Sequence, residues 1–371
     1  MQTSEKKLDI VIVGLGVVGV CTAIGLVKHR ANVHIYEAAE EFCEIGGSVG
    51  LAPEAMAAMK LISPEISDII ADSITKNGSK DGEDTWTTAC HGGKDFTDHF
   101  ITKIKTSDVA RTGQSLVHRD GFLQELVNLL PAGITHFGKK LVAVDAGVNA
   151  GQATMVFEDG ERDVMELIPS AMYGPAYANG YVYRGILPME IVKKDLGEEC
   201  AVNCHLYINK GGYVVTYPTD QGKFLNHNQV DALKEDFKEW GPVVGKIMMN
   251  TEAPSVDMWA LYNINTIGKY KKGRIVLLGD AAHFATPHQA GGIGQCTEDT
   301  LAMSELLGNL EHTSYWSITD AFKAYNIIRR PRSRKLVATS YETGLLYSFN
   351  GPEGDDIEAI KKNLETRTKR T

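Results

Sequence analysis

Residues 9–37 read DIVIVGLGVVGVCTAIGLVKHRANVHIYE, and how this stretch is parsed decides the fold. Leu8–Val13 clusters β-branched residues, as a central parallel strand does. Gly14-Leu15-Gly16-Val17-Val18-Gly19 then turns into a run of small and apolar residues ending near Lys28-His29-Arg30. Ala31–Tyr36 makes a second strand, closed by Glu37. Together they form a βαβ unit of about thirty residues, which implies parallel strands and a right-handed crossover. In that context Gly14, Gly16 and Gly19 let the backbone approach a pyrophosphate at a helix N-terminus, where unpaired N–H groups carry positive partial charge. Glu37 is placed to accept hydrogen bonds from the ribose of an adenosine. The motif alone leaves NAD and FAD both open.

The stretch has a rival parse. Ile10–Val27 carries no charge, follows Lys6-Lys7, and reaches the ~18 residues of a membrane-spanning candidate. Asp9 abuts it, no Ala-x-Ala cleavage pattern follows, and Gly14, Gly16, Gly19 and Gly25 interrupt it. The strand–turn–helix parse is preferred.

Composition excludes further classes. The chain has 371 residues, 43% hydrophobic and 23% charged, the balance of an ordinary soluble globular protein rather than a disordered chain or a coiled coil. A net charge of −9 gives no general attraction to nucleic acid or anionic lipid. The basic run Arg329-Arg330-Pro331-Arg332-x-Arg334-Lys335 is therefore expected to be a solvated helix face. Six scattered cysteines without Cys-x-x-Cys spacing indicate reduced thiols and a cytoplasmic protein. Cys200 and Cys204 lack a partnering pair, and no His-Glu-x-x-His occurs, so no metal site is expected.

A second glycine-rich block narrows the cofactor. Gly279-Asp280-Ala281-Ala282-His283 follows the strand RIVLL (274–278), and Pro287-His288-Gln289-Ala290-Gly291-Gly292-Ile293-Gly294-Gln295 and Glu298-Asp299 come after it. Small residues at this density let a loop and a helix start pack against a flat ring, and Asp280 can bond a polyol hydroxyl. Three further segments accompany it: Glu44-Ile45-Gly46-Gly47-Ser48-Val49-Gly50-Leu51-Ala52-Pro53, His118-Arg119-Asp120-x-x-Leu123, and the pair Tyr183-Arg184-Gly185 and Thr216-Tyr217-Pro218. The whole resembles the FAD-dependent aromatic-ring monooxygenases, in their salicylate hydroxylase-like branch, from about Leu8 to Tyr347.

The resemblance implies an α/β fold: a Rossmann-like FAD-binding domain (βαβ, mostly parallel sheet) with an inserted smaller mixed β-sheet substrate domain. It implies FAD as cofactor and NADH or NADPH as co-substrate. Gly14, Gly16, Gly19 and Glu37 would hold the adenosine and pyrophosphate, Arg119 would reach the cofactor, and Asp280 would bind the ribityl chain. Pro287, Gly291, Gly292, Ile293 and Gly294 would lie beside the isoalloxazine. Arg184 and Tyr217 would orient the substrate, while His283 and His288 would be either a proton relay or loop packing. The reaction implied is hydroxylation of an aromatic acid, phenol or polyketide-like ring by O2 and NAD(P)H, through a flavin hydroperoxide. The partners are then a small aromatic substrate and O2, with no nucleic acid and no membrane span.

The expected boundaries are 1–180 for the first part of the FAD domain (with an excursion at about 77–105), 181–265 for the substrate domain, 266–345 for the second FAD part, and 346–371 for a polar, frayed tail. Asn77–Phe96 is polar and reads as loop or excursion. Helices are expected at Ala52–Met59, Asp120–Leu130, Asp231–Trp240, Val243–Met249, Glu298–Leu310 and Thr319–Ile328, with Pro331 ending or kinking the last. Glu158-Asp159-Gly160 is a hairpin tip, and Gly211-Gly212 turns between two strands. Two segments depart from the family. Asp163–Gly180 (DVMELIPSAMYGPAYANG) lacks the Gly-Ala-Asp-Gly-x-x-Ser-x-Val-Arg motif, and after Leu225-Asn226 an expected strand is replaced by His227-Asn228-Gln229 and a helix. Ala290 stands where glycine is usual. These departures leave a second function open, an FAD-binding protein that has lost hydroxylation; an NAD-dependent dehydrogenase is the third.

Overall fold

In the computed structural model, residues 8–41, 47–96, 99–105, 113–145, 153–168, 176–219, 222–225, 236–250, 257–264 and 267–367 are described. The opening stretch folds as β1 (Asp9–Val13), α1 (Val17–Lys28) and β2 (Asn32–Tyr36). β1 and β2 pair in parallel with Ile10 opposite Val33. No described helix is long and apolar enough to cross a membrane.

Around this unit grows the first sheet, which adds β8 (Thr135–His136), β9 (Leu141–Asp145), β10 (Ala153–Phe157), β11 (Arg162–Ile168), β17 (Lys271–Lys272) and β18 (Ile275–Val276). Its path is β17-β18-β11-β1-β2-β8, with β10 and β9 attached through β11. The run from β18 to β8 is parallel throughout. The hairpin between β10 and β11 turns at Gly160, whose φ is +85°. α2 (Pro53–Ile62), α3 (Pro64–Ser73) and α4 (Arg119–Asn128) cover this sheet together with a helix at Gly292–Gly308, α9 below. α1 is apolar on every side because it is enclosed on every side: Val20, Cys21, Ala23 and Leu26 have no exposed surface. A short sheet, β3 (Ser48–Gly50), β7 (Ser115–His118) and β4 (Thr75–Lys76), ordered β3-β7-β4, leads the chain into α4.

The second sheet is built from β5 (Thr85–His91), β6 (Phe100–Lys105), β12 (Ala176–Leu187), β13 (His205–Asn209), β14 (Gly212–Thr219), β15 (Gly222–Leu225) and β16 (Asp257–Asn263), ordered β16-β12-β15-β14-β13-β5-β6. It is mixed, since β13 and β5 run parallel and the other pairs antiparallel. Here the structure corrects the loop reading at 77–96. That segment supplies β5, and the residues after it β6, to the substrate sheet, and the polar look of Thr85, Thr87 and Thr88 misleads because all three are buried in it. α5 (Met189–Leu196), α6 (Glu198–Val202) and α7 (Pro242–Met249) lie on one face, where Tyr183, Val214, Trp240 and Val244 form a core.

The chain then returns through α8 (Asp280–His283), α9 (Gly292–Gly308) and α10 (Tyr315–Tyr347) to α11 (Ile357–Arg367). Two expectations are narrowed here. Pro331 does not end its helix: it removes the bond to the Ile327 carbonyl, but α10 continues because it is anchored on both sides, by buried Tyr325 and Arg329 before the proline and Ser333, Ser340 and Leu346 after it. Nor is 346–371 a frayed tail throughout. Ile360 and Leu364 of α11 are buried with Leu346 and Tyr347 against Ala89, Leu206 and Ile208 of the second sheet. Of the departure at Asp163–Gly180, the ends belong to β11 and β12 and residues 169–175 lie outside the described residues; so do 226–235, with the second departure and the first half of the helix expected at 231–240.

Candidate active site

The first wall of the site is the turn from β1 into α1. Gly14 has φ +104°, and its N–H donates to the Tyr36 carbonyl at 2.8 Å. A Cβ on Gly19 would stand 2.0 Å from the Gly14 carbonyl oxygen, so no side chain fits between helix and turn. Gly16, the N-cap, meets nothing within 4 Å, and α1 has no capping side chain and no acid in its first turn. Its first N–H groups are therefore available to an anion. The Glu37 carboxylate accepts from the Leu15 N–H at 2.7 Å and the Ala39 N–H at 2.9 Å. Glu37 thus holds the glycine turn against the end of β2.

The second wall is the segment from β18 through α8 to α9. Gly279 has φ +59° and ψ −140°, and a Cβ there would stand 2.7 Å from Val18 in α1. This close approach sets Asp280 beside the start of α1. Asp280 keeps surface open to the cleft, yet protein encloses its carboxyl group closely enough that burial raises its pKa, against the attraction of His283 and Arg119. Arg119 opens α4, where its N–H reaches the Gly47 carbonyl at 3.4 Å. α9 starts at Gly291 without a capping side chain or an early acid, and Gly292 again meets nothing within 4 Å. Two uncapped helix starts, with an acid and an arginine between them, suit the pyrophosphate, ribityl chain and ring of FAD.

Beneath the flavin loop lies a charged network that the sequence did not disclose. Asp299 has no exposed surface. Its Oδ2 accepts from the Gly279 N–H at 2.9 Å and from His283 Nε2 at 2.6 Å, and its Oδ1 accepts from Arg329 Nε at 2.7 Å. Arg329 also donates to Glu298 and, at 2.8 Å, to Gln295 Oε1. Burial alone would raise the Asp299 pKa, but His283 and Arg329 outweigh it and hold the carboxyl below its ordinary value. This corrects the basic run as a wholly solvated face: Arg329 is 4% exposed, and Arg332 pairs with Glu298 from the surface. His283 is enclosed in this network and acts by fixing the Gly279-Asp280 turn. Beside it a cavity of about 370 Å³ opens between Tyr177, Asn263, Arg334 and Tyr341.

His288 follows Pro287 in a single 3-10 turn, Pro287–Gln289. Its Nδ1 shares a 2.6 Å hydrogen bond with the Tyr213 hydroxyl of β14, and its ring occupies the space beside Gly344 in α10. Burial pushes its pKa down to about 4, so near neutral pH the ring is an uncharged clamp between loop, substrate sheet and long helix. Ala290 closes the turn in the left-handed region, φ +50° and ψ 22°. A Cβ there costs ~1–2 kcal/mol relative to an unhindered backbone. Ala290→Gly is therefore expected to raise unfolding stability by about 1 kcal/mol, read as a higher urea midpoint at unchanged slope.

The third wall is the second sheet. Tyr217 and Tyr213 are four residues apart on β14 and so share a face, the one that meets the flavin loop at His288. Ile186 pairs with Phe224, which pairs with Tyr217, so Arg184 and Ile186 of β12 lie on that face too. Arg184 acts electrostatically on Tyr217, whose pKa burial raises and Arg184 draws back. Arg184 also sits 6.0 Å from the centre of the Trp259 ring on β16. Trp259 was not among the sequence candidates. Its only linear signal is an aromatic in an alternating run, which core strands show equally. The structure thus assembles two groups. Gly14, Gly16, Gly19 and Glu37 stand at the start of α1, Arg119 at the start of α4, and Asp280, Pro287, Gly291, Gly292, Ile293 and Gly294 along the segment from α8 into α9. Arg184 and Tyr217 stand on the facing sheet.

A parallel dinucleotide-binding sheet with a Gly-Asp turn, joined to a mixed sheet over its flavin end, defines a two-part flavoprotein. Residues 233–340 match the family model described as FAD binding domain. The chain is 33% identical to 6-methylsalicylate 1-monooxygenase of Aspergillus terreus over 94% of this chain and 85% of that one. It is 27% identical to salicylate hydroxylase of Pseudomonas putida over 99% and 92% respectively. A solved salicylate hydroxylase substrate complex superposes with TM-score 0.84 at 25% identity, covering 98% of this chain and 95% of that one. The chain belongs to the FAD-dependent monooxygenases of the salicylate hydroxylase-like branch. FAD is its cofactor, and NAD(P)H is the co-substrate general to the family.

Proposed function

We propose that this chain hydroxylates a small phenolic acid, with the carboxylate oriented by Arg184 and the ring lying between the second sheet and the flavin loop. The observation that carries this is the grouping of Arg184, Tyr217 and Trp259 on the sheet face that meets the loop at His288. Relatives named for salicylate and 6-methylsalicylate support the substrate class. Bound FAD supplies reduction by NAD(P)H and activation of O2; the chain's own residues bind, orient and exclude water. The α1 start would take the pyrophosphate, Asp280 the ribityl hydroxyls, and the Gly291–Gly294 helix start the electron-rich edge of the ring. Tyr217, kept protonated by burial, can donate to the substrate's phenolic oxygen, while the guanidinium of Arg184 pairs with its carboxylate. His283 and Asp299 position the turn that carries Asp280. Free thiols at Cys21, Cys90, Cys200, Cys204 and Cys296 support a cytoplasmic setting.

The absent Asp-Gly motif between Ile168 and Ala176 favours one alternative, an FAD-binding protein that no longer hydroxylates. Visible spectra of the purified protein, before and after anaerobic NADH or NADPH, with and without salicylate, separate the two. Hydroxylation requires a bound-flavin spectrum that bleaches faster when the phenolic acid is present. A yellow protein that stays oxidised with both nucleotides and every phenol supports the alternative.

A further inference from the structure

Away from the flavin cleft, α6 and the start of β13 bring Glu199, Cys200 and His205 together. One carboxylate oxygen, the sulfur and one imidazole nitrogen lie within 4.8 Å of one another. We infer that this cluster binds a divalent transition metal, zinc by preference, through Glu199 Oε2, Cys200 Sγ and His205 Nε2, with a fourth position open to water.

The hydrogen bonds around the cluster prepare it. His205 is 4% exposed, and its Nδ1 lies 3.2 Å from the Asn203 carbonyl oxygen, an acceptor only, so Nδ1 carries a proton. That leaves Nε2 facing Glu199 Oε2 at 3.2 Å. Nε2 must then hold a second proton or direct its lone pair at a carboxylate, and a metal ion satisfies both groups in place of that proton. The distance suits this: zinc bonds of ~2.0–2.2 Å to nitrogen and oxygen at the tetrahedral angle separate the two ligand atoms by ~3.3 Å. Asn203 Nδ2 donates to the Glu199 carbonyl at 3.0 Å and to Glu199 Oε1 at 3.2 Å, which fixes the carboxylate and leaves Oε2 toward His205. Anchors of this kind on both a histidine and a carboxylate are what metal ligands need around them. Thiolate, imidazole and carboxylate suit zinc and not magnesium or calcium. Lys103 also acts electrostatically on Glu199 and is the cation that would compete. Binding releases the Cys200 thiol proton to solvent, so uptake tightens as pH rises from 6 to 8.

The expectation of no metal rested on the absence of Cys-x-x-Cys and His-Glu-x-x-His spacings. The three ligands meet because α6 turns directly into the strand that carries His205. The test uses the FAD-loaded protein and zinc alone, titrated in competition with a chromophoric chelator at pH 7.5. One equivalent taken up per chain, with affinity lowered at least about tenfold in Cys200→Ser and in His205→Gln, is the expected result. Each variant should retain its FAD and, in excess chelator, the wild-type melting temperature, which separates lost ligation from lost folding. Uptake that is absent, or the same in wild type and both variants, overturns the assignment.

Discussion

Replacing Arg329 with methionine is expected to destabilise the protein by about 3–5 kcal/mol, because it strands the Asp299 carboxylate in the interior. Arg329 gives Asp299 its 2.7 Å partner and ties Glu298 and Gln295 to α10 at the same time. Urea unfolding of the FAD-free proteins measures this directly, with Arg332→Met as control. Arg332 pairs with Glu298 from a half-exposed position, so its loss should cost under about 1 kcal/mol. The pH dependence gives a second reading. Asp299 has its folded pKa held below the ordinary value, so the stability it contributes is present above the unfolded pKa near ~4 and is lost as pH falls through the folded one. Without Arg329 the buried carboxyl is pushed upward, so the gap between wild type and Arg329→Met should be widest near pH 8 and narrow steadily as pH falls toward about 4, where a protonated Asp299 no longer needs its partner. A gap that is small at pH 7, or that widens in acid, would show that Asp299 does not depend on Arg329.

The second large effect falls on activity. Arg184→Met is expected to lower kcat/KM for a carboxylated phenol such as salicylate by about a hundredfold or more, since losing one member of an enclosed charge pair costs ~2–5 kcal/mol. The FAD content should not change, because Arg184 stands on the substrate sheet and not in the cofactor cleft. Turnover of a phenol without a carboxylate should fall far less. Equal losses for both substrates would place the role of Arg184 in packing against Trp259 and not in carboxylate recognition. Steady-state kinetics on the two substrates, with the bound flavin measured in each preparation, decides between these outcomes.

The turns into α1, α8 and α9 were legible in the sequence for a physical reason. A helix start that receives a pyrophosphate needs its glycines within one turn of chain, and Gly14, Gly16 and Gly19 satisfy that without help from elsewhere. The same holds for Gly279-Asp280 and for Gly291 to Gly294, each a local turn into a helix. The substrate sheet was only partly legible. Arg184 and Tyr217 were proposed from the family's strand motifs, whereas β5 and β6 read as polar loop because their threonines are covered by neighbours far away in the chain. Of the two readings of Pro331, ending or kinking its helix, the first is excluded by packing along both halves of α10.

The sequence by itself determined the parallel sheet, the cofactor and the chemistry class, because those depend on backbone conformation and helix ends set by adjacent residues. Tertiary structure alone decided that Arg329 is interior and not solvated, that His283 braces the Gly279-Asp280 turn, and that Trp259 stands beside Arg184. Each of these depends on which surface a side chain meets after the sheets have paired. A partner thirty or seventy residues away leaves no mark on local periodicity, yet it settles whether a charge is buried, paired or free to act.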